Sequence, residues 1–406
     1  MAALHAAGID ALVIEAGPDL DDRDAAVPEH YAGGVGGAGL FSDGKFSFHP
    51  SATAMWECEP GSVLRHAYDR IVDLLAGHGM TAPSFPTSGA GLPAGDGDHF
   101  QAKRYPSAYL SLEARYRLNR DLAAATQGRR VRGSVTKVSY DGSGLPEIVV
   151  LAGDIRTTVR ARCVIYAGGR FGTLSAEFSV TGLRTRFRRV EIGVRIEQPS
   201  ADFFLRSDGY LDSKYILPQA SSGVEWRTFC CCREGMVVRS VFGEWQTLSG
   251  RADCPPTGLS NVGFNARITD PVLGARIWDE VTARLRGTGR ELTIPLAGLS
   301  AATMTSALAN VYGDYAAEAL AFGFARLSRD FDIGTGSSGS IHGPCVEGVG
   351  TYLLLTRDLR ATGGAPIWFA GDSTGIFRGL TAALVSGYFV ALRTLSYLRS
   401  DVSEDA

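Results

Sequence analysis

Apolar residues recur along this chain at two spacings, which separate predicted helices from predicted strands. An alanine-rich helical stretch ends at Gly8, and an apolar strand from Ala11 to Glu15 follows it. Apolar residues at helical spacing predict a helix in SVLRHAYDRIVDLLAGHG, with Gly77 as its terminator. A second predicted helix, SLEARYRLNRDLAAATQG, leads into the strand-like runs RRVRGSVTKVSYDG, PEIVVLAG and TTVRARCVIYAGG.

The pattern changes in the middle of the chain and then returns. From about Val180 to Asp330, strands and helices alternate less regularly, whereas the last stretch is again a strand, a glycine turn and a long apolar helix. We therefore predict an α/β fold with a Rossmann-like domain formed by residues 1–179 and 331–406. A helical insert falls near residues 55–111, and residues 180–330 form an inserted α+β substrate domain.

Composition narrows the partners. The 406 residues carry a net charge of −3, and no basic stretch is long enough to predict nucleic-acid binding. No apolar run reaches the roughly 18 residues of a membrane span, and the start lacks the features of a signal peptide. Seven cysteines without framework or metal-ligand spacing indicate a reducing compartment and no metal site. We expect a cytoplasmic protein.

Glu15 ends the first predicted strand. In dinucleotide-binding folds, an acidic residue at the end of the second strand accepts hydrogen bonds from the adenosine ribose. The alternative is that Glu15 only caps a surface strand, and taken alone the pattern is too common to decide between the two.

The segment GGVGGAGLFSDGK is the most unusual stretch of the chain, since it places six glycines between Gly33 and Gly44. Glycines expose backbone N–H groups and remove Cβ atoms that would hold a flat ligand away. Ser42, Asp43 and Lys45 add polar groups, and Lys45 could place its charge near an anionic ring or pyrophosphate. A flexible linker is the alternative, but linkers are rich in serine and lack embedded Phe and Leu.

Two further strands end in glycine turns. In CVIYAGGRFG the strand delivers Gly168 and Gly169 at its carboxyl end, where ligands of open α/β sheets bind. In IWFAGDSTGIFRGLTAALVSGYFVA, Asp372 follows the strand and a helix N-terminus follows Gly379, which suits a ring that becomes anionic. The alternative for the second stretch is a strand–helix unit with Asp372 as the N-cap.

Cysteine and histidine candidates are weaker. Cys230, Cys231 and Cys232 are consecutive, so the first and third share one face of a strand. We favour small buried hydrophobic residues, and the alternative is a thiol that faces the cofactor with a lowered pKa. His342 is a candidate base, although a structural histidine fits its position equally well.

Taken in order, these stretches resemble a family of flavoproteins, the uncharacterised FAD-dependent dehydrogenases with a glutathione-reductase-type FAD domain. The residues that carry the resemblance are GGAGLFSDGK, RTFCCCREG and GDSTGIFRG, supported by EIGVRIEQP and HGPCVEG. The resemblance covers nearly the whole chain, and the segment from Gly37 to Lys45 is its most specific part. One feature departs from the family: the first strand and its GxGxxG loop are absent, so we expect the working protein to begin roughly 20–30 residues before Met1.

The resemblance implies a set of site residues. Glu15 would hold the ribose, Val135 would flank the adenine, and Asp372 would bind the ribityl chain. The full set expected to bind FAD is Glu15, Gly36, Gly37, Ala38, Gly39, Ser42, Asp43, Gly44, Lys45, Val135, Ala167, Gly168, Gly169, Gly371, Asp372, Gly375, Gly379 and Leu380. No catalytic residue is assigned, and Lys45 and His342 are the candidates.

The function that follows is FAD-dependent transfer of a hydride between flavin N5 and a small organic substrate. An FAD-dependent monooxygenase or halogenase is the first alternative, although the paired tryptophans of halogenases are not apparent. A non-catalytic flavoprotein remnant is the second. No second glycine fingerprint predicts a nicotinamide domain, so NAD(P)H is expected only as a transient reductant, with an electron-donor protein as the other source.

Overall fold

The computed structural model describes residues 1–48, 55, 58, 61–85, 98–124, 126, 129–141, 144–172, 179–180, 183–218, 223–334 and 336–404. The helices are Ala2–Ala6 (α1), Pro28–Ala32 (α2), Ser62–Gly77 (α3), Leu112–Ala124 (α4), Gly169–Gly172 (α5), Pro271–Leu285 (α6), Ala301–Tyr312 (α7), Asp314–Phe331 (α8) and Leu380–Glu404 (α9). The strands are Val13–Glu15 (β1), Lys45–Ser47 (β2), Gln101–Ala102 (β3), Ser107–Tyr109 (β4), Arg130–Arg132 (β5), Ser134–Tyr140 (β6), Pro146–Ala152 (β7), Ile155–Arg160 (β8), Val164–Tyr166 (β9), Ser179–Val180 (β10), Thr185–Pro199 (β11), Tyr215–Leu217 (β12), Val224–Cys232 (β13), Met236–Phe242 (β14), Trp245–Arg251 (β15), Leu259–Ile268 (β16), Leu292–Pro295 (β17), Ser340–Leu353 (β18) and Ile367–Phe369 (β19). The fold is mixed α/β.

A seven-stranded antiparallel sheet forms the largest unit, in the order β17-β18-β11-β16-β13-β12-β3. Along most of their length its central strands alternate between apolar and polar residues, as the two faces of a pleated strand require. The apolar series comprises Val190, Ile192, Val194, Val262, Phe264, Ala266, Val224 and Trp226, and all of these side chains are buried. One face of the sheet is therefore built for a hydrophobic core.

Helices α6, α7 and α8 belong to the core on that apolar face. Ile277, Leu308 and Leu320, one from each helix, are fully buried in the same cluster as the sheet residues. Trp226 of β13 also fixes α8, because its indole N–H donates to the carbonyl of Ala319 at 2.7 Å. The opposite face of the sheet is left for polar residues.

The strands predicted for a Rossmann-like domain form two parallel pairs. β1 pairs with β5, and β9 pairs with β19, each as a separate two-stranded sheet. Helix α1 packs on α9, where Leu4 joins Ala391 and Leu395 in a small core. A four-stranded sheet, β10-β6-β7-β8, lies beside them. The parallel pairing agrees with the α/β prediction.

The seven-stranded sheet does not coincide with the predicted limits of the substrate domain. Strand β18 and the short strand β3 belong to the seven-stranded sheet, although both lie outside residues 180–330. The sheet therefore extends beyond the segment predicted as the substrate domain, and the division into domains stays a prediction. Within the predicted insert at 55–111, helix α3 is present, and residues 86–97 lie outside the described residues. In the described part of the chain, the helices are too short or too polar to span a membrane.

Candidate functional site

The polar face of the seven-stranded sheet is buried, although it carries charges. On β11 this face presents Glu191 and Arg195, which are 0% and 1% exposed, with Gly193 between them. The neighbouring strand β16 adds Asn261 and Asn265, both buried. Burying so many polar groups costs free energy unless they have hydrogen-bonding or ionic partners. The segments that cover this face supply such partners, and the candidate site lies among them.

The glycine-rich segment is held in place by two buried arginines that the sequence analysis missed. Arg23 donates to the carbonyls of Val35 and Gly37 at 2.8 and 2.9 Å, and also to the carbonyl of His30. Arg115, 1% exposed, donates to the carbonyl of Leu40 at 3.0 Å. The backbone of the segment is therefore fixed by side chains rather than free like a linker. Neither arginine lies in a motif that could have identified it.

Lys45 lies in a buried ion cluster where this segment contacts β13. Its Nζ lies 3.2 Å from Asp43 Oδ2 and 3.9 Å from Asp212 Oδ1, and it donates to the carbonyl of Cys231. Burial opposes both charges, but their attraction lowers the pKa of Asp43 and raises that of Lys45. Lys45 therefore stays protonated near neutral pH, which suits an electrostatic role better than that of a base.

Two thiols adjoin this cluster. Cys230 Sγ donates to Asp43 Oδ2 at 2.9 Å, and Cys232 Sγ lies 3.8 Å from the Arg195 guanidinium. Positive φ at Cys230 and a bulge in the β13–β16 register bring them together. The ligand atoms of Asp43, Cys230 and Cys232 all lie within 4.8 Å of one another, a grouping that the sequence spacing did not predict. Lys45 contacts Asp43 Oδ2 and Arg195 contacts Cys232 Sγ. Two positive charges this close to the ligand atoms disfavour a metal cation.

The interaction between the two thiols shifts their pKa values in opposite directions. It raises the pKa of Cys230, with burial acting in the same direction. It lowers the pKa of Cys232, and the charge of Arg195 helps while burial opposes. Cys232 therefore meets the electrostatic condition that the sequence analysis set for a thiol facing a cofactor, and its role stays a prediction.

A second ion network joins the carboxyl ends of β9 and β19 to the polar face. Arg170 Nε lies 3.0 Å from Asp372 Oδ2, and its Nη2 lies 3.1 Å from Glu347. Arg378 pairs with Glu191 and lies 3.8 Å from Asp372 Oδ1. Although burial opposes ionisation, the arginines lower the pKa of both Asp372 and Glu191. Arg378 lies in the quoted GDSTGIFRG motif but was not singled out.

The two networks meet on one strand. The Asp372 network ends at Glu191 and the Lys45 cluster ends at Arg195, and these residues are four positions apart on the same face of β11. That separation is about 13 Å along a strand. The segments predicted to converge on one ligand therefore contact the same face of the sheet.

The predicted cofactor glycines divide into two groups. Four have positive φ and, apart from their chain neighbours, no atom of a described residue within 4 Å of the position of a Cβ: Gly37, Gly169, Gly371 and Gly379. At five others a Cβ would collide with a side chain of the protein: Asn119 at Gly36, Leu380 at Gly39, Arg115 at Gly44, Tyr166 at Gly168 and Tyr352 at Gly375. The first group leaves room for a ligand, whereas the second is explained by packing.

The other predicted residues occupy varied surroundings. Glu15 is half-buried at the carboxyl end of β1, and its Oε1 accepts from the N–H of Gly17 at 2.8 Å. Val135 is half-buried on β6, and Ser42 donates to the carbonyl of Gly39 at 2.9 Å. Four predicted residues are exposed: Ala38, Ala167, Gly168 and Gly379.

His342 lies apart from both networks. It is on β18, with Nδ1 3.3 Å from Thr293 Oγ1 and Nε2 3.5 Å from Glu197 Oε1. It stands opposite Arg195 in the β11–β18 register, and its own partners lie on the two flanking strands, Thr293 on β17 and Glu197 on β11. The structure therefore gives His342 a hydrogen-bonded setting at the border of the polar face.

The residues present fit FAD in three respects. Gly169 and Gly371 leave space just after the carboxyl ends of the parallel strands β9 and β19, where a dinucleotide binds, and Gly37 and Gly379 leave space in the neighbouring predicted segments. Asp372 Oδ1 and Arg378 Nη2 are buried and make no hydrogen bond with any described residue, so they can accept and donate to a ligand. Helix α9 begins at Leu380 directly after the open Gly379 and directs its positive end toward the same region.

Comparisons with known proteins give structural likenesses only. No protein-family model matches the chain, and no curated protein matches it. Similar solved structures include the flavin-dependent brominase Bmp2 as a triple mutant (10% identity, 97% of this chain, 76% of that chain, TM-score 0.44). A second is CabE, an aromatic hydroxylase from angucycline biosynthesis (12% identity, 92% of this chain, 53% of that chain, TM-score 0.35). A third is a flavoprotein/dehydrogenase from Cytophaga hutchinsonii (12% identity, 75% of this chain, 58% of that chain, TM-score 0.33). The chain thus spans as little as about half of these proteins, and at such identities and TM-scores we base no argument on them.

Proposed function

We propose that this chain is an FAD-dependent oxidoreductase of the glutathione-reductase-type flavoprotein class. The observation that carries the proposal is the group of open, positive-φ glycines, Gly37, Gly169, Gly371 and Gly379, in segments that contact one buried polar sheet face. A packing role would place protein atoms over these glycines, as it does at Gly168 and Gly375. Space over a fixed backbone, next to unsatisfied buried polar atoms, fits a flat cofactor.

Each part of the site has a role in this proposal. Glu15 would bind the ribose, and Asp372, oriented by Arg170, would present its free Oδ1 to a hydroxyl group of the cofactor. Lys45 would hold a fixed positive charge near the ring, because Asp43 and Asp212 keep it protonated. The N-terminus of α9 would favour negative charge in the same region.

FAD, when bound, supplies the acceptance or donation of a hydride at N5. The protein's contribution would be to bind a small organic substrate against the polar sheet face and to exclude water there. Transiently bound NAD(P)H or a partner protein would provide the electrons. A monooxygenase built on the same site remains the alternative, since the same residues would bind the same cofactor.

The test is the absorption spectrum of the purified chain, alone and after incubation with FAD and gel filtration. We expect flavin bands to remain with the protein, and we expect them to bleach when NAD(P)H or a chemical reductant is added without oxygen. A colourless protein that takes up no FAD would support a non-catalytic remnant and overturn the proposal. Oxygen consumption that depends on substrate would favour the monooxygenase.

A further inference from the structure

One end of the polar sheet face carries four cations on neighbouring strands. Lys103 follows β3 and Lys214 precedes β12, and the backbone N–H of Lys103 donates to the carbonyl of Lys214 at 2.8 Å. Arg227 on β13 stands opposite Ile216 of β12, and Arg267 lies on β16. We call Lys103, Lys214, Arg227 and Arg267 the cationic face.

Carboxylates of the described residues do not balance these charges. Arg227 pairs with Glu225. Arg267 pairs with Glu191, but Glu191 also pairs with Arg189 and Arg378. Neither lysine forms an ion pair within the described part of the chain. Asp212, whose charge acts on Lys214, also lies 3.9 Å from Lys45.

Burial makes this imbalance costly. Arg227 is 6% exposed, and its Nε is buried without a hydrogen bond to a described residue. Burial and the neighbouring cations lower the pKa of Lys103 to about 7. Burial and Arg227 lower that of Lys214 to about 8. Three of the four lysines in this chain lie in the site region, since Lys45 is the third. Desolvated charges without partners destabilise a fold, so an anion bound at this position would offset the free-energy cost of desolvating these cations.

We propose that the cationic face binds the carboxylate or phosphate group of a small organic anion, the substrate of the oxidoreductase proposed above. That the bound anion is the substrate rests on the proposed function, whereas the existence of the anion site does not. Planar guanidinium groups bind carboxylates and phosphates through paired hydrogen bonds, and two lysines add charge without fixed geometry. Arg227 is buried, and Lys103, Lys214 and Arg267 are half-buried. In a chain with net charge −3, so small an exposed area does not suit an extended polyanion such as nucleic acid.

The position favours the substrate over the phosphates of the cofactor. The glycine-rich segment contacts β13 through Lys45 and Asp43. The segment from Gly371 to Gly379 contacts the sheet through Arg378 and Glu191, on the side of β11. The cationic face continues from there across β16, β13 and β12 to β3 at the far edge of the sheet. A molecule held at the cationic face would therefore lie beside the proposed ring site, on the same sheet face.

The experiment uses the FAD-treated chain and titrates it with inorganic phosphate and with citrate, at ionic strength matched with sodium chloride. Binding is followed by thermal unfolding and by changes in the flavin spectrum. We expect one or both anions to raise the unfolding temperature. Lys214→Met should weaken that binding about tenfold or more, the size expected for one lost charge-assisted contact. Comparing phosphate with citrate distinguishes a phosphate ester from a carboxylate as the natural ligand.

The control is Lys137→Met, because Lys137 is exposed on β6 in a different sheet. It should leave anion binding unchanged. Lys103→Met is the second variant, and both site variants should be at least as stable as the parent without anion, since each removes a partly desolvated charge that lies close to other cations. A purely structural lysine would instead lower the unfolding temperature.

The outcomes separate the two proposals. If FAD binds but neither anion does, or if Lys214→Met binds the anions as tightly as the parent, the anion site is overturned and the oxidoreductase stands. If Lys214→Met loses FAD affinity instead, the charges serve the cofactor and the substrate inference fails. Anion binding that depends on Lys214 in a chain that takes up no FAD would support the site and overturn the proposed function.

Discussion

A methyl group built on Gly37 meets no atom of the described residues within 4 Å beyond its chain neighbours, and the same is true at Gly153 in the β7–β8 turn. The two residues have nearly the same backbone, with φ of 57° and 60°. Packing therefore gives no reason to distinguish them. The difference lies in what we propose above Gly37, which makes the two positions a matched pair.

We predict that Gly37→Ala and Gly153→Ala lower the free energy of unfolding by a similar amount, about 1–2 kcal/mol, because both force alanine into the left-handed region. Only Gly37→Ala should weaken FAD binding, by tenfold or more, since its methyl group would occupy the cofactor's space. Urea unfolding without FAD and an FAD titration measure the two effects. Equal FAD affinity in both variants would remove Gly37 from the site.

Single residues also show what the sequence could and could not predict. The glycine turns and Asp372 were found because strand ends and glycine runs are local signals. The contact of Cys230 with Asp43 joins residues 187 positions apart, and no local pattern contains it. Arg170 and Arg378 were inside the quoted motifs. Which carboxylates they contact depends on how the turn Gly371–Thr374 packs against the seven-stranded sheet.

Alternation along β11, β13 and β16 is a signal at the scale of elements. The period of two predicts strands with two different faces, and the structure has them. The pattern does not say which elements cover each face. That β18 completes this sheet follows from pairing between positions such as Val190 and Val349, which a single sequence does not reveal.

Helix α8 gives a test of how the apolar face is packed. A Cβ at Gly323 would lie 2.0 Å from Trp226 Cδ1, whereas one at Gly387 in α9 meets no described atom within 4 Å outside its own helix turn. We predict that Gly323→Ala lowers the free energy of unfolding by about 1–3 kcal/mol, because the indole must move. Gly387→Ala should raise it by about 0.5–1 kcal/mol through helix propensity.

Urea unfolding of both helix variants, followed by circular dichroism, checks this pair. Trp226 fluorescence should change only in the Gly323 variant, because the indole N–H contacts the carbonyl of Ala319 on the same helix. Stabilisation by Gly323→Ala equal to that by Gly387→Ala would show that α8 does not lie against Trp226 as described.

For the whole molecule, the net charge of −3 conceals an uneven distribution. Lys103 and Lys214 are half-buried close to two arginines, while carboxylates elsewhere balance the total. Composition could exclude a broad basic surface but could not reveal a half-buried cationic one. The consequence is a pH dependence of stability that belongs to the folded chain as a whole.

Lowered lysine pKa values predict the sign of that dependence. In the unfolded chain both lysines have their ordinary pKa of 10.5, whereas folding lowers it to about 7 at Lys103 and about 8 at Lys214. Between these values the unfolded chain binds more protons, so the lysines' unfavourable contribution to the free energy of unfolding fades as the pH rises from about 7. Below about pH 7, where both states are protonated, their penalty is complete.

We therefore predict that the double variant Lys103→Met/Lys214→Met is more stable than the parent near pH 7 and that this advantage shrinks toward about pH 10. Taking the difference between the two proteins cancels the titration of tyrosines and cysteines that both retain. Urea unfolding across this range, in buffers without phosphate or polycarboxylate, measures it. At neutral pH, an anion that binds the parent should also narrow the gap, because it supplies the missing negative charge. An advantage that grows with pH, or a variant less stable than the parent at every pH, would show that the two lysines are already compensated within the fold.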